Sequence, residues 1–303
     1  MRFSRVAALG AAMLVALAAC SSGGGSSAKP DIRIGSDGFY ESQLVAEMFA
    51  QVLEGDGYKV TRNLGIGART VRQPALEQGQ IDLTPEYVGS GLGYYDKAAP
   101  TGDGPTNREA LAKILQTKGI SVTSISPGED TNATVVRPET AAELGLAKMS
   151  DLAAVQDKLK WGLPPECEAN PLCKGALEAY GLTFPPAQQE ALAACDAPIA
   201  EALENKGVDI GWLCSTQPAI AQFGFVVLED DKNTQPAENM TALVRDDYLA
   251  KLGDKDAFQK SLDKVLALLT TDELTKLGVQ VAVDQKPVED VAKEFLTANA
   301  LLK

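Results

Sequence analysis

The chain has 303 residues, 45% of them hydrophobic and 23% charged, enough for two domains that each bury a core. Its formal charge is −13 and it contains no histidine. That argues against nucleic acid as a partner and removes the commonest general base, most catalytic triads and most zinc sites, while chemistry built on carboxylates, Lys or Cys stays open.

The first residues read as a targeting segment. Arg2 and Arg5 form a positive start, and an apolar run over 6–19 follows, short for a membrane span. It ends Leu17-Ala18-Ala19-Cys20, which resembles the bacterial lipoprotein box. The expectation is a signal peptide over 1–19 and a diacylglycerol on Cys20, anchoring the chain to the outer face of a membrane. Residues 20–30 contain Ser21-Ser22-Gly23-Gly24-Gly25-Ser26-Ser27, a flexible tether.

The folded part begins near Asp31. Residues 32–35 form a first strand, after which Leu44, Val45, Met48, Phe49, Val52 and Leu53 recur at helical spacing. Gly55 and Gly57 end that helix, and alternation over 58–62 predicts a second strand. A helix over 69–78 leads into Gly79-Gln80-Ile81-Asp82-Leu83-Thr84-Pro85-Glu86-Tyr87-Val88-Gly89. Here residues 81–83 read as a short strand. Pro85 favours a turn and pushes Thr84 extended, so the strand is expected to stop near Thr84. Tyr87 then lies just past a strand end, where open α/β sheets place ligands; the alternative is a half-buried core ring. The β-α-β-α-β order implies an α/β sheet whose loops at 36–40 and 67–70 meet Tyr87 at one edge.

Further on, an amphipathic helix over 107–118 turns Leu111, Ile114 and Leu115 inward and precedes a strand over 120–125. Residues 126–130 read as a crossing into a second set of elements. These are strands at 134–136, 159–163, 208–213 and 225–228, a short capped helix from Met149, and a helix over 196–205. The polar loop 229–236 is a candidate return. A strand over 240–244 and helices over 255–269, 272–277 and 287–299 complete the chain.

Two stretches run alike. Leu76-Glu77-Gln78-Gly79-Gln80-Ile81-Asp82-Leu83 and Leu203-Glu204-Asn205-Lys206-Gly207-Val208-Asp209-Ile210 both pass from a helix end through a turn to an apolar-Asp-apolar strand. The alignment sets Tyr87 against Cys214 and places Ser215 and Thr216 on a second edge. Asp82 and Asp209 read as strand-end hydrogen-bond acceptors. Beyond Cys20 the cysteines are Cys167, Cys173, Cys195 and Cys214, an even set that favours disulfides in an exported chain. Cys167 and Cys173 flank a turn-rich loop, so the local pair is expected, leaving Cys195 with Cys214.

Gly35-Ser36-Asp37-Gly38-Phe39-Tyr40-Glu41-Ser42-Gln43, Leu64-Gly65-Ile66-Gly67-Ala68-Arg69 and the 79–89 stretch together resemble the osmoprotectant ABC-transporter substrate-binding proteins, the glycine betaine, choline and carnitine binding family. Asp130-Thr131-Asn132-Ala133 and Leu213-Cys214-Ser215-Thr216 are similar to the family's second-lobe segments. The resemblance implies a two-lobed periplasmic-binding-protein (type II) α/β fold with ligand held in a cleft between lobes. Lobe one is expected at 31–126 plus 239–303, and lobe two at 127–238. It implies a non-enzymatic, monomeric receptor without metal or cofactor that closes on a small betaine-like solute and hands it to a membrane permease.

Family members often hold quaternary ammonium groups in a cage of rings. Tyr87 matches a cage position, but Cys214 and Pro127-Gly128 stand where rings are common, so a four-ring cage does not carry over. Phe39 and Tyr40, or Tyr94, Tyr95 and Trp212, are candidate replacements, and Arg69 offers paired donors for a ligand carboxylate. Each has a plainer reading: Phe39 as a helix staple, Tyr94 and Tyr95 as packing, Trp212 as core, Arg69 as a solvated helix start. The expected ligand contacts are Ser36, Phe39, Tyr40, Arg69, Tyr87, Thr131, Asn132, Cys214, Ser215 and Thr216. An aromatic or thiol-betaine solute, a cell-surface sensor domain and a secreted carboxylate enzyme are the competing readings.

Overall fold

A computed structural model describes residues 29–302, apart from 98, 166, 193, 194 and 196. The expected signal peptide, Cys20 and most of the tether lie outside the described residues. Lys29 and Pro30 already touch the body: Lys29 Nζ donates to the Asp56 carbonyl at 2.6 Å, and the Tyr248 hydroxyl donates to the Pro30 carbonyl at 3.1 Å.

The chain alternates strand and helix through its first half: β1 (Ile32–Gly35), α1 (Tyr40–Gly55), β2 (Val60–Asn63), α2 (Arg69–Glu77), β3 (Leu83–Tyr87), α3 (Val88–Tyr95), α4 (Gly104–Gln116) and β4 (Ile120–Glu129). It then builds β5 (Asn132–Val136), α5 (Pro138–Leu144), β6 (Trp161–Leu163), α6 (Ala176–Ala179), β7 (Gln189–Ala191), α7 (Ala197–Glu204), β8 (Ile210–Cys214), α8 (Pro218–Phe223) and β9 (Val226–Val227). It returns through β10 (Asn239–Arg245) and ends in α9 (Asp246–Leu249), α10 (Lys255–Leu266), α11 (Thr271–Gly278) and α12 (Val288–Ala298).

Two five-stranded sheets result, with orders β2-β1-β3-β10-β4 and β7-β6-β8-β5-β9. The first is covered on one face by α1 and the C-terminal helices, where Leu44, Phe49, Phe258 and Phe295 join one apolar cluster. Leu76, Leu92, Leu111 and Leu243 form a cluster of their own. The second sheet has a separate core around Trp161, Trp212, Ile199 and Leu203. Trp212 is therefore core, as its alternation with Ile210 indicates. No helix among the described residues is long and apolar enough to cross a membrane.

The 79–89 stretch departs from expectation. The strand does not stop at Thr84; β3 continues through Pro85 to Tyr87, paired antiparallel with β10 from Leu83↔Val244 to Tyr87↔Met240. Pairing to β1 occurs only at Ile34↔Leu83, so beyond Leu83 one flank of β3 has no ladder to serve. A proline without N–H is tolerated at such an open flank. Residues 126–129 likewise continue β4 rather than leaving it. Gly128 N donates to the Leu269 carbonyl at 2.9 Å, and Glu129 N to Thr271 Oγ1 at 3.0 Å, docking the strand end on the start of α11.

The repeated helix-turn-strand unit is present in both sheets. Gln80 N and Ile81 N donate to the Ala75 carbonyl, and Gly207 N and Val208 N to that of Ala202. The turns take a left-handed residue at Gly79 (φ 73) and Lys206 (φ 62). Asp82 N then meets the Arg33 carbonyl and Asp209 N that of Lys160, both at 2.7 Å. Each Asp carboxylate accepts the backbone N–H of the same neighbour at 2.9 Å.

Candidate functional site

The end of β3 sends consecutive side chains to opposite faces, as a strand must. Glu86 turns toward α2. Its carboxylate accepts Arg69 Nη2 at 2.8 Å and Arg72 Nη2 at 2.6 Å, and Arg72 Nε reaches Asp37 Oδ1 at 3.0 Å. Burial acts to raise the Glu86 carboxyl, but Arg72 and Arg69 outweigh it and hold it at about 2. Arg69 Nε is also on Glu86, at 3.0 Å. The Nε/Nη2 edge of the Arg69 fork is thus taken up by Glu86 inside the protein.

Tyr87 turns the other way. Its ring is 7% exposed and stacks on Phe39, with centroids 6.1 Å apart and planes at 27°. Phe39 stands at the N-cap of α1 and is 45% exposed, so the pair presents one buried ring and one open one. The Tyr87 hydroxyl donates to Glu41 Oε1 at 2.5 Å. Glu41, in the first turn of α1, is fully enclosed; burial and the Asp130 charge push it up to about 8 against the Tyr87 and Thr216 hydroxyls.

The facing wall comes from the second sheet. Asn132 and Cys214 are paired residues at the ends of β5 and β8. Asp130 precedes them, and its carboxyl, raised by burial, accepts Thr216 N at 3.3 Å. Ser215 locks the corner: its hydroxyl accepts Thr131 N at 3.0 Å and donates to the Glu129 carbonyl at 3.1 Å. Asn132 Nδ2 donates to Gln235 Oε1 at 3.0 Å. Cys214 is bonded to Cys195, and Cys167 to Cys173, the pairing expected from the spacing.

Between the walls lies a cavity of about 270 Å³, lined by Phe39, Arg69, Tyr87, Thr131, Asn132 and Cys214 among others. Tyr40 and Thr216 line an adjoining cavity of about 650 Å³, which shares Phe39, Asp130 and Cys214 with the first. Ser36 reaches neither. It is 0% exposed, and its hydroxyl accepts Gly65 N at 2.8 Å while donating to the Asp37 carbonyl at 3.0 Å, so it shapes the loop instead. Ser215 is likewise engaged with backbone. Of the other rings, Tyr94 lines a further cavity and Tyr95 donates to Glu77 Oε1 at 2.6 Å, away from Phe39 and Tyr87.

Three acids were not singled out by sequence reasoning: Glu41, Asp130 and Glu238. Glu238 accepts Ser90 N at 2.9 Å and Ser90 Oγ at 2.6 Å at the start of α3, and burial raises it to about 7. Glu41 and Asp130 both stand inside the stretches that carry the family resemblance. For Glu41 the available signal was an acid directly after the adjacent rings Phe39 and Tyr40.

The family model described as the substrate binding domain of ABC-type glycine betaine transport system matches residues 30–298. The chain is 28% identical over 282 residues to the glycine-betaine-binding protein of Pseudomonas aeruginosa, covering 89% of this chain and 88% of that one. It is 28% identical over 295 residues to the carnitine transport binding protein OpuCC of Listeria monocytogenes, covering 93% and 92%. Among solved structures, a glycine betaine/carnitine/choline ABC transporter protein superposes with a TM-score of 0.80 at 24% identity over 90% of this chain and all of that one. Apo YehZ from Escherichia coli gives 0.78 at 23% identity, covering 89% and 99%. These neighbours share the two-lobed periplasmic-binding fold, and the family match extends over nearly all of the described chain. The protein therefore belongs to the family of substrate-binding domains of ABC-type glycine betaine transport systems.

Proposed function

We propose that the chain captures a small quaternary ammonium or betaine-like solute in the cavity between its two sheets, and delivers it to a membrane permease. The observation behind this reading is the Phe39–Tyr87 ring pair, which opens on a cavity walled on the far side by Asp130, Thr131, Asn132 and Cys214. A ring face attracts a cation that has no hydrogen-bond donors, worth roughly 0.5–2 kcal/mol per ring. Two rings supply only part of the roughly 8 kcal/mol that micromolar binding needs, so both walls must contribute.

In this reading the lobes are the two sheets with their helices, divided near residues 129–130, later than the sequence suggested because β4 runs on to Glu129, and near 238–239. The receptor is not an enzyme. It is lipidated at Cys20 and held outside the cytoplasm, and the anchor keeps it at high local concentration beside the permease.

The test is calorimetric titration of the purified chain with glycine betaine, carnitine and choline. At least one is expected to bind, and Tyr87→Ala is expected to weaken it by about tenfold or more, the loss of one ring and its packing. Unchanged affinity in Tyr87→Ala removes the ring pair from the site. Failure of all three solutes to bind or to shift melting counts against the whole reading.

A further inference from the structure

The rings explain attraction to a quaternary ammonium but not the charge it meets. The cavity of about 650 Å³ beside the ring pair is lined by three acids, Glu41, Asp130 and Glu201, and by no Lys or Arg among its described residues. Glu41 is 2% exposed. Its Oε1 takes the Tyr87 hydroxyl, the Thr216 hydroxyl is the other group that favours its charged form, and its buried Oε2 has no cation beside it. A carboxylate at this depth with only hydroxyl donors either holds a proton or needs a cation from outside. The groups that face it are Tyr40 on its own helix, Tyr87 from β3, Asp130 from the β4–β5 connection and Thr216 after β8. None is a cation. Arg69 lines the neighbouring cavity but is bound to Glu86, and Glu238 beside it adds a further acid.

Resting on the reading above, we propose that Glu41 and Asp130 are the counter-charge for a ligand of net positive charge, and that they release a proton as it binds. The exchange balances: the protonated empty pair plus a monocation gives the complex plus one free proton, and the buried charge does not change. A zwitterion with the same trimethylammonium head fares worse, because its own carboxylate enters an acidic cavity with no Lys or Arg among its described lining residues, and Arg69 in the neighbouring cavity is already paired with Glu86. Burial and Asp130 push Glu41 up, and burial also raises Asp130, so the empty pair holds a proton to higher pH than free carboxyls do.

Choline and glycine betaine share their head group and differ in net charge, which makes them the probes. Titration of the full chain with choline in two buffers of different ionisation enthalpy is expected to show release approaching about one proton per choline. Choline is expected to bind about tenfold or more tighter than glycine betaine, and its affinity to rise between about pH 6 and about pH 8. Glu41→Gln is expected to abolish the release and narrow the preference. Asp130→Asn, with folding checked by melting, gives an independent second loss. Choline binding without proton release overturns the proposal, as does glycine betaine binding as tightly as choline or alone. If neither solute binds, the proposed function itself fails, and this proposal with it.

Discussion

Glu86 and Glu41 flank one strand end and have opposite pH signatures. Glu86 is held at about 2, below its ordinary 4.5, so its ion pairs contribute stability above that value that is lost as pH falls toward 2. Glu41 at about 8 and Glu238 at about 7 are raised, so the folded protein binds more protons than the unfolded chain between 4.5 and those values. Their contribution is intact below 4.5 and is lost as pH rises through 7 to 8. The empty protein should therefore melt highest in mild acid and lose stability on both sides. Melting temperature measured from about pH 3 to about pH 9 tests this. Glu41→Gln should flatten the alkaline limb and leave the acid limb in place. An unchanged alkaline limb in that variant would sink the assignment. Arg72, 0% exposed between Asp37 and Glu86, predicts a larger effect. Arg72→Met leaves two buried carboxylates short of a partner and should cost about 3–5 kcal/mol in urea unfolding.

At the scale of elements, the close approach of β4 to α11 is the sharpest constraint. A Cβ on Gly128 would lie 2.3 Å from Thr271 N and 2.4 Å from the Thr270 carbonyl carbon, both backbone. Neither can swing aside, so Gly128→Ala should destabilise by about 1–3 kcal/mol. Gly253→Ala meets nothing within 4 Å and is the matched control, expected within about 0.5 kcal/mol of the parent. Equal urea midpoints for the two variants would show that the β4 end is slack. The long periodic helices α1, α4, α10 and α12 were readable in the sequence because their apolar faces recur over several turns. The helix-turn-strand repeat was readable because its turn and Asp serve the same backbone in both sheets. α3 was not readable: Val88-Gly89-Ser90-Gly91-Leu92-Gly93-Tyr94-Tyr95 is rich in glycine, a poor helix former. It needs those glycines, since a Cβ at Gly89 would lie 2.7 Å from the Ala237 carbonyl and one at Gly91 would lie 2.9 Å from Glu86 Cγ. The strand through Pro85 was hidden for a related reason. Whether a proline ends a strand depends on which flank is open, and that is a property of the finished sheet. The same holds within the site: Tyr87 and Phe39 announced themselves as rings, whereas Arg69 could not be seen to belong to Glu86 until α2 was laid beside β3.

At the scale of the whole molecule, two short connections join the sheets and run side by side. Asp130 N donates to the Glu238 carbonyl at 3.2 Å, and Thr131 Oγ1 to the Pro236 carbonyl at 3.2 Å. In the proposed division these are the hinge, since a few residues at element ends suffice to absorb a domain rotation. The walls of the cavity lie on either side of that line, Tyr87 and Phe39 with one sheet, Asn132 and Cys214 with the other. A solute touching both walls favours the closed arrangement by its differential contacts alone, and one touching a single wall shifts nothing. Bound solute should therefore do two things together. At about one hundred times its Kd it should stabilise the fold by about 2.7 kcal/mol. That amounts to a rise in melting temperature on the order of 5–10 °C for a body of this size. The same addition should shrink the radius of gyration measured by small-angle scattering. In Tyr87→Ala both responses should move to higher solute concentration in step, because one ring serves both affinity and closure. A melting rise with no change in radius would put the solute on one lobe only and remove the hinge from the mechanism.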